Sequence, residues 1–307
     1  MIQQIIILLV GFIFLVKGAD WFVEGAASIA RKMGIPQLII GLTIVAMGTS
    51  MPEAAVSITA AMQQNAGITI GNVVGSNILN IFIILGITAL ITNVKIQKST
   101  IRYEIPFMIF ITIILMIFGM TDMKITFIEG IFFWILFIAY LVYLFIMARN
   151  SETLEEEKDI PVWKCLLFIL IGGILVVKGS DFAVSGASAI ARYFGMSERF
   201  IGLTIVAFGT SLPELVTSVT AAKRANAGIA IGNIVGSNIF NILFVIGTTS
   251  LICSVPFESK FMIDSMIAVI AGLVLWFGTK KHHELRKPCG IIMLLCYLLY
   301  FIYLCLM

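Results

Sequence analysis

Charge is what this 307-residue chain has least of: 12% of its residues are Asp, Glu, Lys or Arg, against 60% hydrophobic, and the mean hydropathy is +1.08. So few charges cannot cover the water-facing surface of a chain this long. That excludes a soluble globular domain and leaves a polytopic membrane protein. Cysteine is also scarce. Cys165, Cys253, Cys289, Cys296 and Cys305 lie in or beside apolar runs and form no Cys-x-x-Cys pair, so neither a disulfide framework nor a thiolate metal site is expected. The two histidines, His282 and His283, are adjacent in a basic loop without helical ligand spacing and read as a solvated pair. With no Ser/His pairing and no membrane His-Glu-x-x-His pattern, an intramembrane enzyme is not expected. The N-terminus shows no basic n-region and no small-residue cleavage site, so no cleaved signal peptide is expected.

What the chain does have is apolar length. About ten segments reach the roughly 20 residues that cross a bilayer. They are expected near 3–30, 36–62, 68–92, 103–120, 125–147, 163–191, 197–222, 229–252, 261–279 and 288–306. The first and sixth are long enough to tilt or to extend beyond the bilayer. Threading ten spans from Met1 places Arg31, Lys32, Lys95, Lys98, Arg102, Arg149, Lys158, Lys164, Lys223, Arg224, Lys280, Lys281, Arg286 and Lys287 on one side. Only Lys124, Arg192, Arg199 and Lys260 fall on the other. Basic loops stay cytoplasmic, so both termini are predicted to face outward. The basic run from Lys280 to Lys287 reads as a topology anchor rather than a nucleic-acid site.

The chain also repeats itself. From Lys17 to Ile87 it matches its own second half without a gap at a constant offset of 161 residues, pairing Glu53 with Glu214 and Asn80 with Asn241. Five spans per unit is an odd number, so the second copy enters from the opposite face. The expected fold is all-α, with ten transmembrane helices as two inverted five-helix repeats meeting near the midplane on interrupted helices 2 and 7. Residues 1–148 form the first repeat (core unit about 36–92) and 162–307 the second (core unit about 197–252). Residues 149–161, with Glu152, Glu155, Glu156, Glu157 and Asp159, form an acidic cytoplasmic linker. The linker lacks the alternating oxygens and the glycine of an EF-hand loop and reads as solvated. The last two spans of each half match poorly and read as scaffold.

The best-matched segments carry the chemistry. Gly48-Thr-Ser-Met-Pro-Glu53 and Gly209-Thr-Ser-Leu-Pro-Glu214 each place an acid in an apolar span just after a proline. An ionisable side chain there costs several kcal/mol and is a functional hypothesis by default. Proline has no N–H, so the carbonyls of Gly48 and Gly209 lose their helical partners. Within hydrocarbon such groups need replacement partners unless the break lines a cavity. A hard cation is such a partner: calcium takes six to eight oxygens, and sodium also binds oxygen. Thr49, Ser50, Thr210 and Ser211 add hydroxyls beside the breaks. In the following span Asn72, Ser76 and Asn80, repeated as Asn233, Ser237 and Asn241, lie at i, i+4, i+8 along one helical stripe. Interhelical glue is the ordinary reading of one such residue; the matched stripe facing a broken helix reads as ligation. Glycines 71, 75, 232 and 236 permit close helix approach. Lys17/Asp20 and Lys178/Asp181, at i, i+3, read as salt bridges.

These paired Gly-Thr-Ser-x-Pro-Glu segments, each followed by Gly-Asn-x-x-Gly-Ser-Asn, resemble the two α-repeats of the cation/calcium antiporter superfamily, in particular its prokaryotic sodium/calcium exchanger branch. The resemblance spans about 17–92 and 178–252 and the ten-span layout. It implies a multi-pass protein of a prokaryotic plasma membrane that exchanges Na⁺ for Ca²⁺ by alternating access, with two long tilted helices sliding across an eight-helix core. It also implies that Glu53, Glu214 and the carbonyls of Thr49 and Thr210 hold calcium. The carbonyls of Ala46 and Ala207, the hydroxyls of Thr49 and Thr210, and Ser76 and Ser237 would add the sodium sites. Asn80 and Asn241 would line the centre, with Ser50 and Ser211 as further candidates. Two carboxylates balance one calcium or two sodium ions, so the cargoes compete, and a three-for-one exchange would be electrogenic.

The potassium-dependent branch is linked to an aspartate where Asn241 stands, so potassium independence is expected. The runner-up is a Ca²⁺/H⁺ antiporter; such relatives carry a glutamate in Gly-Asn-x-x-Glu where Gly75 and Gly236 stand here. A channel is disfavoured by two-fold internal pseudosymmetry. The partners expected are the lipid bilayer and the two transported ions, with no cofactor, no nucleic acid and no obligatory protein partner.

Overall fold

A computed structural model describes residues 2–63, 66–149, 161–195 and 207–306. The described chain is helical apart from four two-residue strands. Helix α1 is Ile2–Lys32, α2 Gln37–Thr49, α3 Met51–Met62, α4 Ala66–Ile91, α5 Thr100–Asp122 and α6 Phe127–Arg149. Then follow α7 Val162–Tyr193, the short α8 Ala207–Thr210, α9 Leu212–Lys223, α10 Ala227–Ile252, α11 Ser259–Lys280 and α12 Lys287–Leu306. Among the described residues eight helices are long and apolar enough to cross a membrane, or nine if the bent pair α2–α3 is one span. The protein is thus an all-helical, multi-pass membrane protein. Of the expected seventh span, 197–222, residues 197–206 lie outside the described residues, as do the acidic side chains of the 149–161 linker.

The helix ends follow local chemistry. Pro36 and Pro161 stand just before α2 and α7 with extended ψ of 135° and 144°, where a missing N–H costs nothing. Beyond α1 and α7 the chain turns through Gly34 (φ +64°) and Gly195 (φ +78°), which close left-handed caps onto the carbonyls of Arg31 and Arg192. Strands β1 (Val94–Lys95) and β4 (Glu284–Leu285) pair antiparallel, as do β2 (Lys124–Ile125) and β3 (Val255–Pro256). Helix α5 runs from one ribbon to the other, so the ribbons sit at opposite ends of the bundle. The basic threading puts the loops of β1 and β4 on one side and those of β2 and β3 on the other, the same grouping.

Burial separates the helices by role. In their most apolar windows α10 is 94% and α4 72% buried, against 28% and 22% for α1 and α7. α1 and α7 lie antiparallel in backbone contact. A Cβ built on Gly11, Gly18 or Gly25 would come within 2.5–2.8 Å of atoms of α7, and one on Gly172, Gly179 or Gly186 within 2.5–2.9 Å of α1. These glycines fall every seven residues in each helix, so each set lines one face. Leu15, Ala19, Val176 and Ala183 of this pair form a small apolar cluster of their own, edged by Leu212 and Val216 of α9.

Candidate ion site

Both Gly-Thr-Ser-x-Pro-Glu segments are breaks. α2 and α3 meet at Ser50 (φ −85°, ψ 8°) with a 50° bend, and α9 begins after Ser211 (φ −92°, ψ 4°). Each break falls two residues before its proline, which occupies the tolerated first turn of the following helix. Glu53 and Glu214 therefore sit in the first turns of α3 and α9, and each is only 1% exposed.

The segments face each other. Ser50 Oγ donates to Glu214 Oε1 at 2.7 Å, Thr49 Oγ1 to Asn233 Oδ1 at 3.0 Å, and Ser237 Oγ to the Ala46 carbonyl at 3.4 Å. In the other direction Thr210 and Ser211 approach Glu53, and the two carboxylates lie within Coulombic range of each other. Ser237 and Thr49 approach Glu214. The Ala46 carbonyl also accepts the Ser50 N–H at 3.0 Å and Thr49 Oγ1 at 3.3 Å. Ser76 is buried on the matching stripe of α4. Ala207 is the first described residue of α8, and its side chain lies outside the description.

Asn72 and Asn233, at the head of each stripe, act as glue. Asn72 Nδ2 donates to the Glu53 carbonyl (3.2 Å) and Ser57 Oγ (2.9 Å); Asn233 Nδ2 donates to the Glu214 carbonyl (3.3 Å) and Ser218 Oγ (2.8 Å). They fasten each acid-bearing helix to the next. Two turns further along, π-helical segments begin at Asn80 (Asn80–Leu85) and Asn241 (Asn241–Ile246); such turns recur at functional sites. Of the glycines expected to permit close approach, Gly232 and Gly236 do so: a Cβ there would meet α2 backbone at Leu38 (2.7 Å) and Leu42 (2.8 Å). The segment that would match α2 against Gly71 and Gly75 contains 197–206, outside the described residues.

The acceptors left over define the chemistry. Both Glu53 carboxylate oxygens, Glu214 Oε2, Asn80 Oδ1 and Asn241 Oδ1 are buried with no hydrogen bond closed on them. No Lys, Arg or His occurs in 41–53, 71–80, 202–214 or 232–241. A buried anion without counter-charge costs several kcal/mol, and such a group in a native fold calls for an explanation. Oxygens alone, three of the five from two carboxylates, suit a hard cation.

Two acids elsewhere were not anticipated as sites. Glu104, 1% exposed in α5, accepts the Tyr143 hydroxyl of α6, and Asp264 of α11 accepts Tyr300 of α12 at 2.9 Å. Both clasp scaffold helices. Each is an acid in an apolar span, but Glu104 has Ser265 at its repeat position, so the duplication does not mark it. The Lys178–Asp181 bridge is present at 3.4 Å, whereas Asp20 pairs with Arg224 at 3.0 Å, beside Glu24 at 3.2 Å. His282 and His283 are exposed, and among the described residues Cys165, Cys253, Cys289 and Cys296 form no disulfide.

Comparisons with known proteins give the family and the fold. The family model described as sodium/calcium exchanger protein matches residues 3–146 and 164–306. The putative antiporter CaxA of Alkalimonas amylolytica is 39% identical over 297 residues, covering 94% of this chain and 93% of CaxA. The sodium/calcium exchanger MaX1 of Methanosarcina acetivorans is 31% identical over 339 residues, covering 97% of each. A solved structure of the sodium-calcium exchanger NCX_Mj matches with a TM-score of 0.86 at 36% identity, covering 98% of both chains. Family model, relatives and fold converge: the chain belongs to the sodium/calcium exchanger family, as a prokaryotic-type, multi-pass membrane cation/calcium antiporter.

Proposed function

We propose that this protein exchanges Na⁺ for Ca²⁺ across a prokaryotic plasma membrane by alternating access, electrogenically and without potassium, with both termini outside. The observation that carries this reading is the set of buried acceptors with no hydrogen bond closed on them, contributed by both halves around Glu53 and Glu214. In this reading the described helices and the undescribed 197–206 segment make ten spans in two inverted repeats, divided by the acidic linker. The breaks at Ser50 and Ser211 carry the site.

Glu53, Glu214 and the carbonyls of Thr49 and Thr210 hold calcium. The carbonyls of Ala46 and Ala207, the hydroxyls of Thr49 and Thr210, and Ser76 and Ser237 serve sodium. Asn80 and Asn241 line the centre, and Ser50 and Ser211 steady the carboxylates. Hydroxyls suit this task because each rotates between donating to protein and turning a lone pair to an ion. One carboxylate pair cannot neutralise both cargoes at once, so sodium and calcium displace each other. The bare pair is costly to carry through hydrocarbon, which favours transit only when loaded. Gly75 and Gly236, where proton-coupled relatives place glutamate, favour sodium as the driving ion. Asparagine at both 80 and 241 favours potassium independence.

The test is radiocalcium uptake by purified protein in proteoliposomes, driven first by an outward sodium gradient and then by a pH gradient of matched size. Sodium-driven uptake without potassium supports the proposal. Uptake driven by the pH gradient alone would establish the proton antiporter instead.

A further inference from the structure

Four asparagines lie where α4 crosses α10, and only Asn80 and Asn241 belong to the stripes that face the breaks. Asn77 and Asn238 are 3% and 1% exposed. Asn77 Nδ2 donates to the backbone carbonyl of Asn238 at 3.1 Å, and Asn238 Nδ2 donates to that of Asn77 at 3.1 Å. Asn241 Nδ2 donates to Asn77 Oδ1 at 3.1 Å, and Asn80 Nδ2 donates to Asn238 Oδ1 at 2.9 Å.

This circuit has one consistent orientation. A backbone carbonyl only accepts, so Asn77 must turn its NH₂ toward Asn238. Its oxygen then faces Asn241 and can only accept, so Asn241 must answer with its own NH₂. The amide end left without a partner is therefore Asn241 Oδ1. The same steps from Asn238 leave Asn80 Oδ1. Those two oxygens are the buried acceptors on which no hydrogen bond closes. An isolated asparagine side chain can present either end by rotating about its last bond. Presenting NH₂ would turn partial positive charge toward a cation.

We infer that Asn77 and Asn238 are positioning residues that lock the amides of Asn241 and Asn80 with oxygen toward the ion, so that neutral asparagines act as obligate acceptors. The inference rests on the calcium site proposed above. It also accounts for a doubled Asn-x-x-Asn in each half: one asparagine meets the ion and the other, from the opposite half, aims it. Each half orients the ligand of its partner, so neither repeat completes the centre alone.

The experiment is a double-mutant cycle on calcium-dependent flux in proteoliposomes, with thermal unfolding of the detergent-solubilised protein measured alongside. Asn77→Ala should raise the half-saturating calcium concentration about tenfold, the scale of one buried polar group turned the wrong way, with the maximal rate within about twofold. On an Asn241→Ala background the same change should cause no further rise. Asn238→Ala should behave likewise against Asn80→Ala. Equal rises in both backgrounds, or a lowered melting temperature with an unmoved calcium dependence, would reduce Asn77 to a packing residue and overturn the inference. If the alanine variant does not accumulate, Asn77→Asp keeps an acceptor toward Asn241 while ending donation to the Asn238 carbonyl. Half-saturation should then not rise, and a rise overturns the inference. Wild-type protein without saturable calcium flux would sink the calcium reading itself and this inference with it; saturable wild-type flux with an unmoved Asn77→Ala curve sinks this inference alone.

Discussion

Glu53 and Glu214 hold equivalent places in the two halves, yet their surroundings differ by a hydrogen bond. Ser50 donates to Glu214 at 2.7 Å, while Ser211 only approaches Glu53 and no hydrogen bond closes on either oxygen of that acid. A second inequality lies at the membrane edge. Arg224 of the second half grips Asp20 and Glu24 of α1, whereas its repeat mate is Gln63 and the mate of Glu24 is Ser185. The asparagine circuit between α4 and α10, by contrast, is reciprocal to the residue. The two halves thus match residue for residue at the asparagines and differ at the acids and at the Arg224 clasp.

The largest effect is expected at the acids. Glu53→Gln and Glu214→Gln should each cut sodium-driven radiocalcium uptake by about a hundredfold or more, because each removes half of the anionic charge from a buried site. A variant near wild-type rate would remove that acid from the site. The next largest effect is expected at the α1–α7 seam. Gly18→Val and Gly172→Val force branched side chains onto backbone less than 3 Å away, and overpacking of this kind costs about 1–3 kcal/mol. Both should lower the yield of monodisperse protein on size-exclusion chromatography, and equally, since the seam is shared.

The hydroxyls sharpen the inequality between the acids. Ser50→Ala should raise the half-saturating calcium concentration roughly tenfold, from loss of a bond to a charged group. Ser211→Ala should raise it less, and equal shifts would show that the two environments average during transport. The smallest effect is expected at the edge. Arg224→Ala removes a clasp whose side chain is 34% exposed, and exposed pairs contribute about 0–1 kcal/mol. The ratio of forward to reverse exchange should change by no more than about twofold, and raising the salt should shrink that change further.

Much of this was legible in the sequence, for identifiable reasons. Apolar length located α1, α4 to α7 and α10 to α12 to within a few residues, because a bilayer fixes how long a span must be. Duplication exposed the acids, since a costly residue kept twice at one offset is hard to read as accident. The circuit of Asn77 and Asn238 was less legible. Both stand in plain view within the repeated Gly-Ser-Asn, but their roles depend on contacts between halves that a stripe drawn along one helix cannot show. Glu104 and Asp264 escaped because the chain places them one position out of register. The π-helical segments at Gly41–Val45 and Thr100–Glu104 had no sequence mark, since an extra residue in a turn reflects packing around it. The Arg224 clasp joins residues two hundred positions apart, where spacing rules do not reach.

The glycine seam constrains any motion of the long helices. Backbones that touch over the two heptads from Gly11 to Gly25 leave no room for one rod to slip past the other, so in the proposed cycle α1 and α7 would travel as a single yoke. The rods point in opposite directions, and under that cycle a shift that uncovered the proposed site toward one compartment would draw the opposite end over it. A leak open to both compartments would require the yoke to split lengthwise, separating six glycines at once.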